Sequence, residues 1–189
     1  GERTKALAGE GDGITVFNTL GFTRDDVVRL PEGCNAEALE DANGVVYPVQ
    51  HTKDGAVAAV KSLPSKGSRV YKKASMPKDT QTEWYSIENT IGNKTLETPF
   101  YTVVFDENGM ISRLYDKKND REVLKEGQKG NRMVMYEDKP MCFDNWDVDI
   151  YYTEKYWDVN DVISMEWTEC GPVRTTLEIE RRESNSVIR

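Results

Sequence analysis

The sequence predicts an all-β fold class, and three observations support this prediction. Apolar residues recur at every second position in short runs, as at Val45, Tyr47 and Val49. Turn signals separate the runs, at Asn43-Gly44, Asp54-Gly55 and Asn108-Gly109. Both central residues of a type I′ turn need positive φ, which Asn-Gly and Asp-Gly adopt readily, so each pair predicts a β-hairpin. Helical periodicity is scarce, and many short strands with few helices favour β-sandwiches.

The first half of the chain is predicted to form a series of short strands. The first begins at Ile14 in ITVFNTLGF, and the next, DVVRLP, stops at Pro31. Pro48 within VVYPVQHT predicts an edge strand or a bulge, because proline cannot donate a ladder hydrogen bond. A further strand is expected at about residues 69–73. Segment 35–41, NAEALED, is the one helix candidate, and an extended conformation fits it nearly as well.

The second half contains the clearest hairpin, PFYTVVFDENGMISRLYD. Tyr101, Val103 and Phe105 alternate before the Asn-Gly turn, and Leu114 lies on the return strand. TEWYSIENT, residues 82–90, also alternates. VRTTLEIERRE, residues 173–183, has the alternation of a half-buried antiparallel strand. The Pro, Ser and Lys residues before position 80 indicate a domain boundary near Met76.

Composition and charge exclude several classes of protein. The net charge of −8 is the wrong sign for a nucleic-acid or anionic-membrane partner, and no apolar run is long enough to span a membrane. Three widely spaced cysteines without a CxxC motif favour a reducing compartment, so we predict a cytoplasmic protein. A single histidine, His51, argues against a zinc site or a nucleophilic triad in this chain, and we expect it to be a strand or turn residue.

The stretch DNWDVDIYY, residues 144–152, is the candidate site. Read as a strand, it places Trp146, Val148 and Ile150 on an inward face and Asp147 and Asp149 on a wet face. The two carboxylates would then lie roughly 7 Å apart, a spacing that could mimic a glycosidase pair. Two acids on an exposed strand face would look the same, and we favour that interpretation.

Three blocks, in order and over about residues 14–180, resemble the β part of glycoside hydrolase family 38 α-mannosidases. The first is VFNTLGFTRDDVVRLP, where the residues that match are Asn18, Leu20, Phe22, Arg24, Val28, Leu30 and Pro31. The second is ETPFYTVVFDENGMISRLYDKKNDREVL, where they are Asp106, Gly109, Ile111, Asp116, Lys117 and Val123. The third is DNWDVDIYY itself.

The resemblance implies a domain organisation. Residues 1–13 would be a tail or the end of a preceding helical region. Residues 14–76 would form a small β-sandwich, and residues 77–189 the first part of a large mutarotase-like β-sandwich. In this family an N-terminal domain carries the zinc site and the catalytic carboxylates, so the resemblance implies no catalytic residue, metal or other cofactor in this chain and zinc in the parent's N-terminal domain.

The predicted function follows from this resemblance. The chain is expected to be the non-catalytic β-sandwich portion of an α-mannosidase that hydrolyses terminal α-mannosidic bonds with retention, and to be inactive alone. Candidate substrate-binding residues are Asp144, Trp146 and Asp147. The expected partners are the catalytic domain of the same polypeptide, a mannose-containing oligosaccharide and, through open sheet edges, a second copy. A stand-alone carbohydrate-binding module and a structural interaction domain are the alternatives.

Overall fold

A computed structural model describes residues 13–76, 94–143 and 145–189. The described residues form two compact units: the first holds 13–76 with 169–176, and the second holds 94–168 with 177–189. Both are built from antiparallel sheets, which confirms the all-β sandwich class. Residues 77–93, which include TEWYSIENT, lie outside the described residues, and the domain boundaries stay a prediction. No helix among the described residues is long and apolar enough to cross a membrane.

Residues 13–76 of the first unit form six strands in one sheet. They are β1 (Ile14–Phe17), β2 (Arg24–Arg29), β3 (Ala38–Glu40), β4 (Val46–Thr52), β5 (Gly55–Leu63) and β6 (Ser68–Ala74), in the order β1-β6-β3-β4-β5-β2. Two strands change neighbour along their length. β6 pairs with β1 through 68–71 and with β3 through 72–74, and β4 pairs with β3 through 46–48 and with β5 through 49–52. Such switches let a single sheet fold around a core.

The core of this unit contains aliphatic side chains and two tyrosines. Leu39 and Tyr71 are completely buried, and the Tyr71 ring packs edge-on against Tyr47, with 5.7 Å between ring centroids. Val60 and Leu63 from β5 belong to the same buried cluster. Burial raises the pKa of the Tyr71 hydroxyl to about 12, so the ring stays neutral inside the core.

Two predictions for this unit need correction. The segment 35–41 contains strand β3, so its extended interpretation is right and the helix is wrong. Pro48 is buried in β4, an interior strand, so the edge-strand alternative of its prediction is wrong. The proline is tolerated there because it lies where β4 passes from partner β3 to partner β5, and the register with β5 starts only at Val49.

The Asn18 side chain ties the β1–β2 connection to the β5–β6 turn. Its amide donates to the carbonyls of Phe22, Leu63 and Pro64 at 2.8, 3.2 and 3.0 Å. Its oxygen accepts the backbone N–H of Leu20 at 3.0 Å. Asn18 itself is buried, and its bond to the Leu63 carbonyl satisfies a backbone group in the interior.

The described residues of the second unit form nine strands in three sheets. They are β7 (Thr95–Glu97), β8 (Tyr101–Phe105), β9 (Ile111–Asp116), β10 (Arg121–Glu122), β11 (Val134–Tyr136), β12 (Tyr156–Asp158), β13 (Asp161–Cys170), β14 (Thr175–Glu183) and β15 (Ser186–Ile188). The sheets have the orders β10-β9-β8-β7, β11-β12 and β13-β14-β15, and the ends of β13 and β14 at 169–176 group with the first unit. The predicted hairpin at β8 and β9 and the predicted strand at β14 are confirmed.

The β8–β9 turn is organised by Asp106. Its carboxylate accepts the backbone N–H groups of Asn108 and Met110, both at 2.9 Å. Burial raises the pKa of Asp106, but the Lys129 ammonium and these two N–H groups outweigh burial and leave the pKa lowered. Gly109 has φ +68, and a Cβ there would lie 2.8 Å from an Ile179 methyl group, so only glycine fits.

The β3–β4 turn repeats this arrangement in the first unit. Asp41 accepts the N–H groups of Asn43 and Val45 at 2.8 and 3.0 Å, and only Gly44 has positive φ. The hairpins were predicted correctly, but type I′ is wrong for them, because neither Asn43 nor Asn108 has positive φ. Both are three-residue loops in which the glycine takes the left-handed position.

Asp116 holds the β9–β10 turn in the same manner. It is buried and accepts the backbone N–H groups of Lys118 and Asn119, each at 3.1 Å. The Asn119 side-chain amide also donates to it, at 2.7 Å. The Asn119 side chain and the two backbone groups lower the pKa of Asp116, so it is an ionised anchor of the turn.

Within the first unit, segment 169–176 is fixed by two buried polar side chains. Gln50 accepts the N–H groups of Val173 and Arg174 at 3.0 and 2.9 Å and donates to the Arg174 carbonyl at 3.0 Å. A Cβ on Gly171 would lie 2.4 Å from the Gln50 amide carbon, so the approach requires glycine. Glu169 accepts both Nε and Nη2 of Arg174, at 2.6 and 2.7 Å.

This ion pair predicts a pH dependence of stability. The Arg174 guanidinium and the Thr176 hydroxyl hold the pKa of Glu169 at about 2, against its ordinary 4.5. A carboxylate whose pKa is lower in the folded than in the unfolded protein stabilises the fold at pH values above its unfolded pKa. This stabilisation is lost as the pH falls towards the pKa of the folded protein. Between about pH 4.5 and 2, we therefore expect the difference in free energy of unfolding between the wild type and Glu169→Gln to shrink, as measured by urea unfolding.

Arg174→Gln is the matched control, because it removes the partner and leaves the carboxylate. It should reduce the same pH-dependent component to the part that the Thr176 hydroxyl supplies. A difference between wild type and Glu169→Gln that stays constant across this range would contradict the assigned role of the pair.

Candidate functional site

The candidate stretch is a closed loop and not a strand. Trp146 N–H and Asp147 N–H both donate to the Phe143 carbonyl, at 2.6 and 3.0 Å, and Phe143 has φ +55. The Asp149 carboxylate accepts the Met141 N–H at 2.8 Å and closes the loop. A short 3₁₀ helix, Ile150–Glu154, follows. The strand prediction is wrong because Asp149 and the Phe143 carbonyl satisfy the backbone locally.

The apolar residues of this loop face solvent. Trp146 is 89% exposed, and Val148 and Ile150 are 68% and 70% exposed, so the predicted inward face is wrong. Met141 and Phe143 are equally open. We call residues 141–143 and 145–150 the exposed segment. Large apolar side chains clustered on a surface are typical of a binding or docking surface.

The structure describes two of the three predicted site residues. Asp144 lies outside the described residues. Trp146 and Asp147 lie side by side on the exposed segment, and within the described part of the chain the Asp147 carboxylate makes no hydrogen bond or ion pair. The Asp149 carboxylate already accepts a hydrogen bond from the Met141 N–H. The two carboxylates that the sequence suggested as a pair, Asp147 and Asp149, therefore differ in hydrogen bonding. Substrate binding by Asp144, Trp146 and Asp147 stays a prediction.

An aromatic cluster beside this segment was not predicted. The Tyr136 ring on β11 packs against Tyr152 of the 3₁₀ helix and Tyr156 of β12, with centroid distances of 5.2 and 5.7 Å. The Arg132 guanidinium lies over Tyr156, 5.9 Å from the ring centroid. The signal in the sequence was the recurrence of tyrosine in YEDKP, DIYY and KYWD, which alternation along single strands does not reveal.

His51 has the strand position that was predicted, at the end of β4, and its Nε2 lies 3.0 Å from the Ala36 carbonyl oxygen. It borders a polar depression of about 560 Å³ in the first unit, together with Cys34 and Arg29. Of the residues described, no three His, Cys, Asp or Glu side chains are grouped as a metal site would require. The described residues therefore do not provide the three or four converging ligands of a zinc site.

The comparisons with known proteins point to one family. Residues 96–189 match the C-terminal domain of glycosyl hydrolases family 38. Alpha-mannosidase 2C1 of Mus musculus is 29% identical over 147 residues, 75% of this chain, and that of Homo sapiens is 28% identical over 150 residues, 76% of this chain. Alpha-mannosidase G of Dictyostelium discoideum is 30% identical over 89 residues, 47% of this chain. The chain spans only 12% of each of the first two relatives and 8% of the third.

The exposure of Trp146 predicts a small effect on stability. Trp146→Ala should change the free energy of unfolding by less than about 0.5 kcal/mol, because the ring loses little contact with the protein. Urea unfolding followed by circular dichroism measures this change.

Trp167→Ala is the matched control. Its ring packs edge-on against Phe105, 6.1 Å between centroids, and is only partly exposed. Its loss should cost about 2 kcal/mol, below the ~3–5 kcal/mol of a fully buried Trp. An equal or larger loss at Trp146 would contradict the exposed loop.

Proposed function

We propose that the chain, which belongs to the C-terminal region of glycoside hydrolase family 38, is the non-catalytic β-sandwich portion of an α-mannosidase. Residues 96–189 match the C-terminal domain of that family. The observation that carries this proposal is the agreement of the domain match with relatives that are α-mannosidases from three organisms. In the proposal, the parent hydrolyses terminal α-mannosidic bonds with retention, and zinc and the catalytic carboxylates lie in its N-terminal domain.

The state of the carboxylates supports a non-catalytic role. A general acid in a glycosidase needs a raised pKa so that it can hold a proton near neutral pH. The pKa values of Asp106, Asp116 and Glu169 are all lowered, since each carboxylate accepts hydrogen bonds within its own turn or ion pair. These acids serve folding and are poorly suited to donate a proton to a leaving group.

The exposed segment supports a contact with substrate in the parent enzyme. Trp146 offers an open aromatic face, on which the apolar face of a sugar ring can stack. The neighbouring Asp147 carboxylate is available to accept hydrogen bonds from sugar hydroxyls. In this proposal Asp144, Trp146 and Asp147 contact the mannose-containing oligosaccharide, while the reaction itself takes place on the catalytic domain.

The same exposure favours a second candidate, a structural interaction domain. Met141 and Phe143 are 76% and 74% exposed, and neither has hydrogen-bonding chemistry for a sugar. Covering them would suit an apolar surface on the catalytic domain of the same polypeptide. The edge strands β1 and β2 offer a separate route to self-association.

The substrate-contact proposal is tested in the full-length parent. Asp147→Ala and Trp146→Ala should each lower kcat/KM for an aryl α-mannoside or a mannobiose by about tenfold or more, because each removes a direct sugar contact. Steady-state kinetics measures this change, and circular dichroism verifies the fold of each variant.

Asp138→Ala is the matched control, because Asp138 is an exposed acid of the same unit outside the exposed segment. It should leave kcat/KM unchanged. If the Asp147 and Trp146 variants also retain kcat/KM within about twofold, the exposed segment does not contact substrate, and the interaction domain is the better account.

A further inference from the structure

A small polar pocket in the second unit is lined by residues outside the exposed segment. Its volume is about 260 Å³, and it is bordered by Asn108, Gln128, Lys129, Arg132, Asp158 and Asn160. A pocket of this size is below the range for drug-sized ligands and suits a ligand of about one sugar ring.

Backbone pairing brings these residues together from distant parts of the sequence. The Asp106 turn presents Asn108, and reciprocal hydrogen bonds between Ile111 and Gly130, each 2.9 Å, hold the 127–130 loop beside that turn. The pairing of Val134 with Asp158 sets the opposite wall. The pocket is thus built on strands and anchored turns, which favours a preformed site.

The charges around the pocket cancel in pairs. Lys129 Nζ lies 2.5 Å from Asp106 Oδ2. Arg132 donates to both oxygens of Asp158, at 2.5 and 3.1 Å. Each cation that borders the pocket is therefore paired with a carboxylate, so neither is free to attract a phosphate group. A neutral ligand fits this balance.

Three uncharged side chains supply the remaining polar chemistry. Asn108, Gln128 and Asn160 each carry an amide that both donates and accepts hydrogen bonds. Among the described residues, none of these three side-chain amides has a hydrogen-bond partner within the protein. Groups that both donate and accept are the complement of sugar hydroxyls, which do the same.

An exposed aromatic surface adjoins the pocket through Arg132. The guanidinium that pairs with Asp158 also lies over the Tyr156 ring. Tyr156 is 54% exposed and its neighbour Tyr136 is 46% exposed. A second sugar ring extending from the pocket could place its apolar face against these rings.

We propose that this pocket is a saccharide-binding site of the chain itself, which takes a neutral sugar ring on the three amides and the next ring against Tyr156. The site goes beyond the proposed function, because binding there requires neither the catalytic domain nor the exposed segment.

The test is a titration of the purified 189-residue chain with methyl α-mannoside and a mannobiose, followed by nuclear magnetic resonance. Saturable shifts are expected for the side-chain amides of Asn108, Gln128 and Asn160. Gln128→Ala and Asn160→Ala should each weaken binding by about tenfold, because each removes hydrogen bonds to the sugar. Asn35→Ala, an exposed asparagine of the first unit, should leave binding unchanged.

Three results would overturn the proposal: no saturable binding, binding that persists unchanged in both amide variants, or tighter binding of inorganic phosphate than of the neutral sugars. If a variant does not fold, the shifts of the wild-type amides decide the question alone. The outcome is independent of the proposed function, since kinetics of the parent can fail or succeed whatever this titration shows.

Discussion

The structure depends on side chains that satisfy the backbone of its turns. Many of its described strands have only two or three residues, and such strands leave N–H and C=O groups at their ends without ladder partners. In the first unit Asp41, Asn18 and Gln50 satisfy such groups, and in the second unit Asp106 and Asp116 do so. A hydrogen bond to a charged group contributes about 1.5–3 kcal/mol, so losing one anchor removes a large part of a domain's small net stability.

This dependence changes the meaning of the residues that suggested the family. Asn18, Asp106 and Asp116 are turn anchors, and Gly109 leaves room for Ile179, so these matching residues define a shape and not a chemistry. In contrast, Trp146 and Asp147 contribute little to holding the second unit together. Residues that hold the turns and residues whose side chains are open to solvent are therefore distinct.

The sequence predicted the elements whose signals are local. The β8–β9 hairpin combines alternation on both strands with an Asp-x-Asn-Gly turn, and each signal points to the same structure. β3 is only three residues long, too short to show a period, and both interpretations of it remained open. The turn class was wrong because the Asp side chain, and not the Asn-Gly pair alone, determines the loop geometry.

The candidate site was harder to predict, because its structure depends on contacts between non-adjacent residues. Alternation from Trp146 to Tyr152 imitates a strand, but the Asp149 carboxylate, eight residues from Met141, closes a loop instead. The Gln50 contacts with Arg174 span 124 residues, and the amide pocket combines three separate segments. No pattern within a single window of sequence contains such information.

In the proposed function, the chain supports α-mannosidase catalysis without performing it. The most direct test mixes the separately purified N-terminal part of the parent with this chain and measures hydrolysis of an aryl α-mannoside. We expect no turnover by this chain alone, and we expect activity to rise when this chain is added to the N-terminal part. Turnover by the isolated chain that is abolished by Asp147→Asn would contradict it.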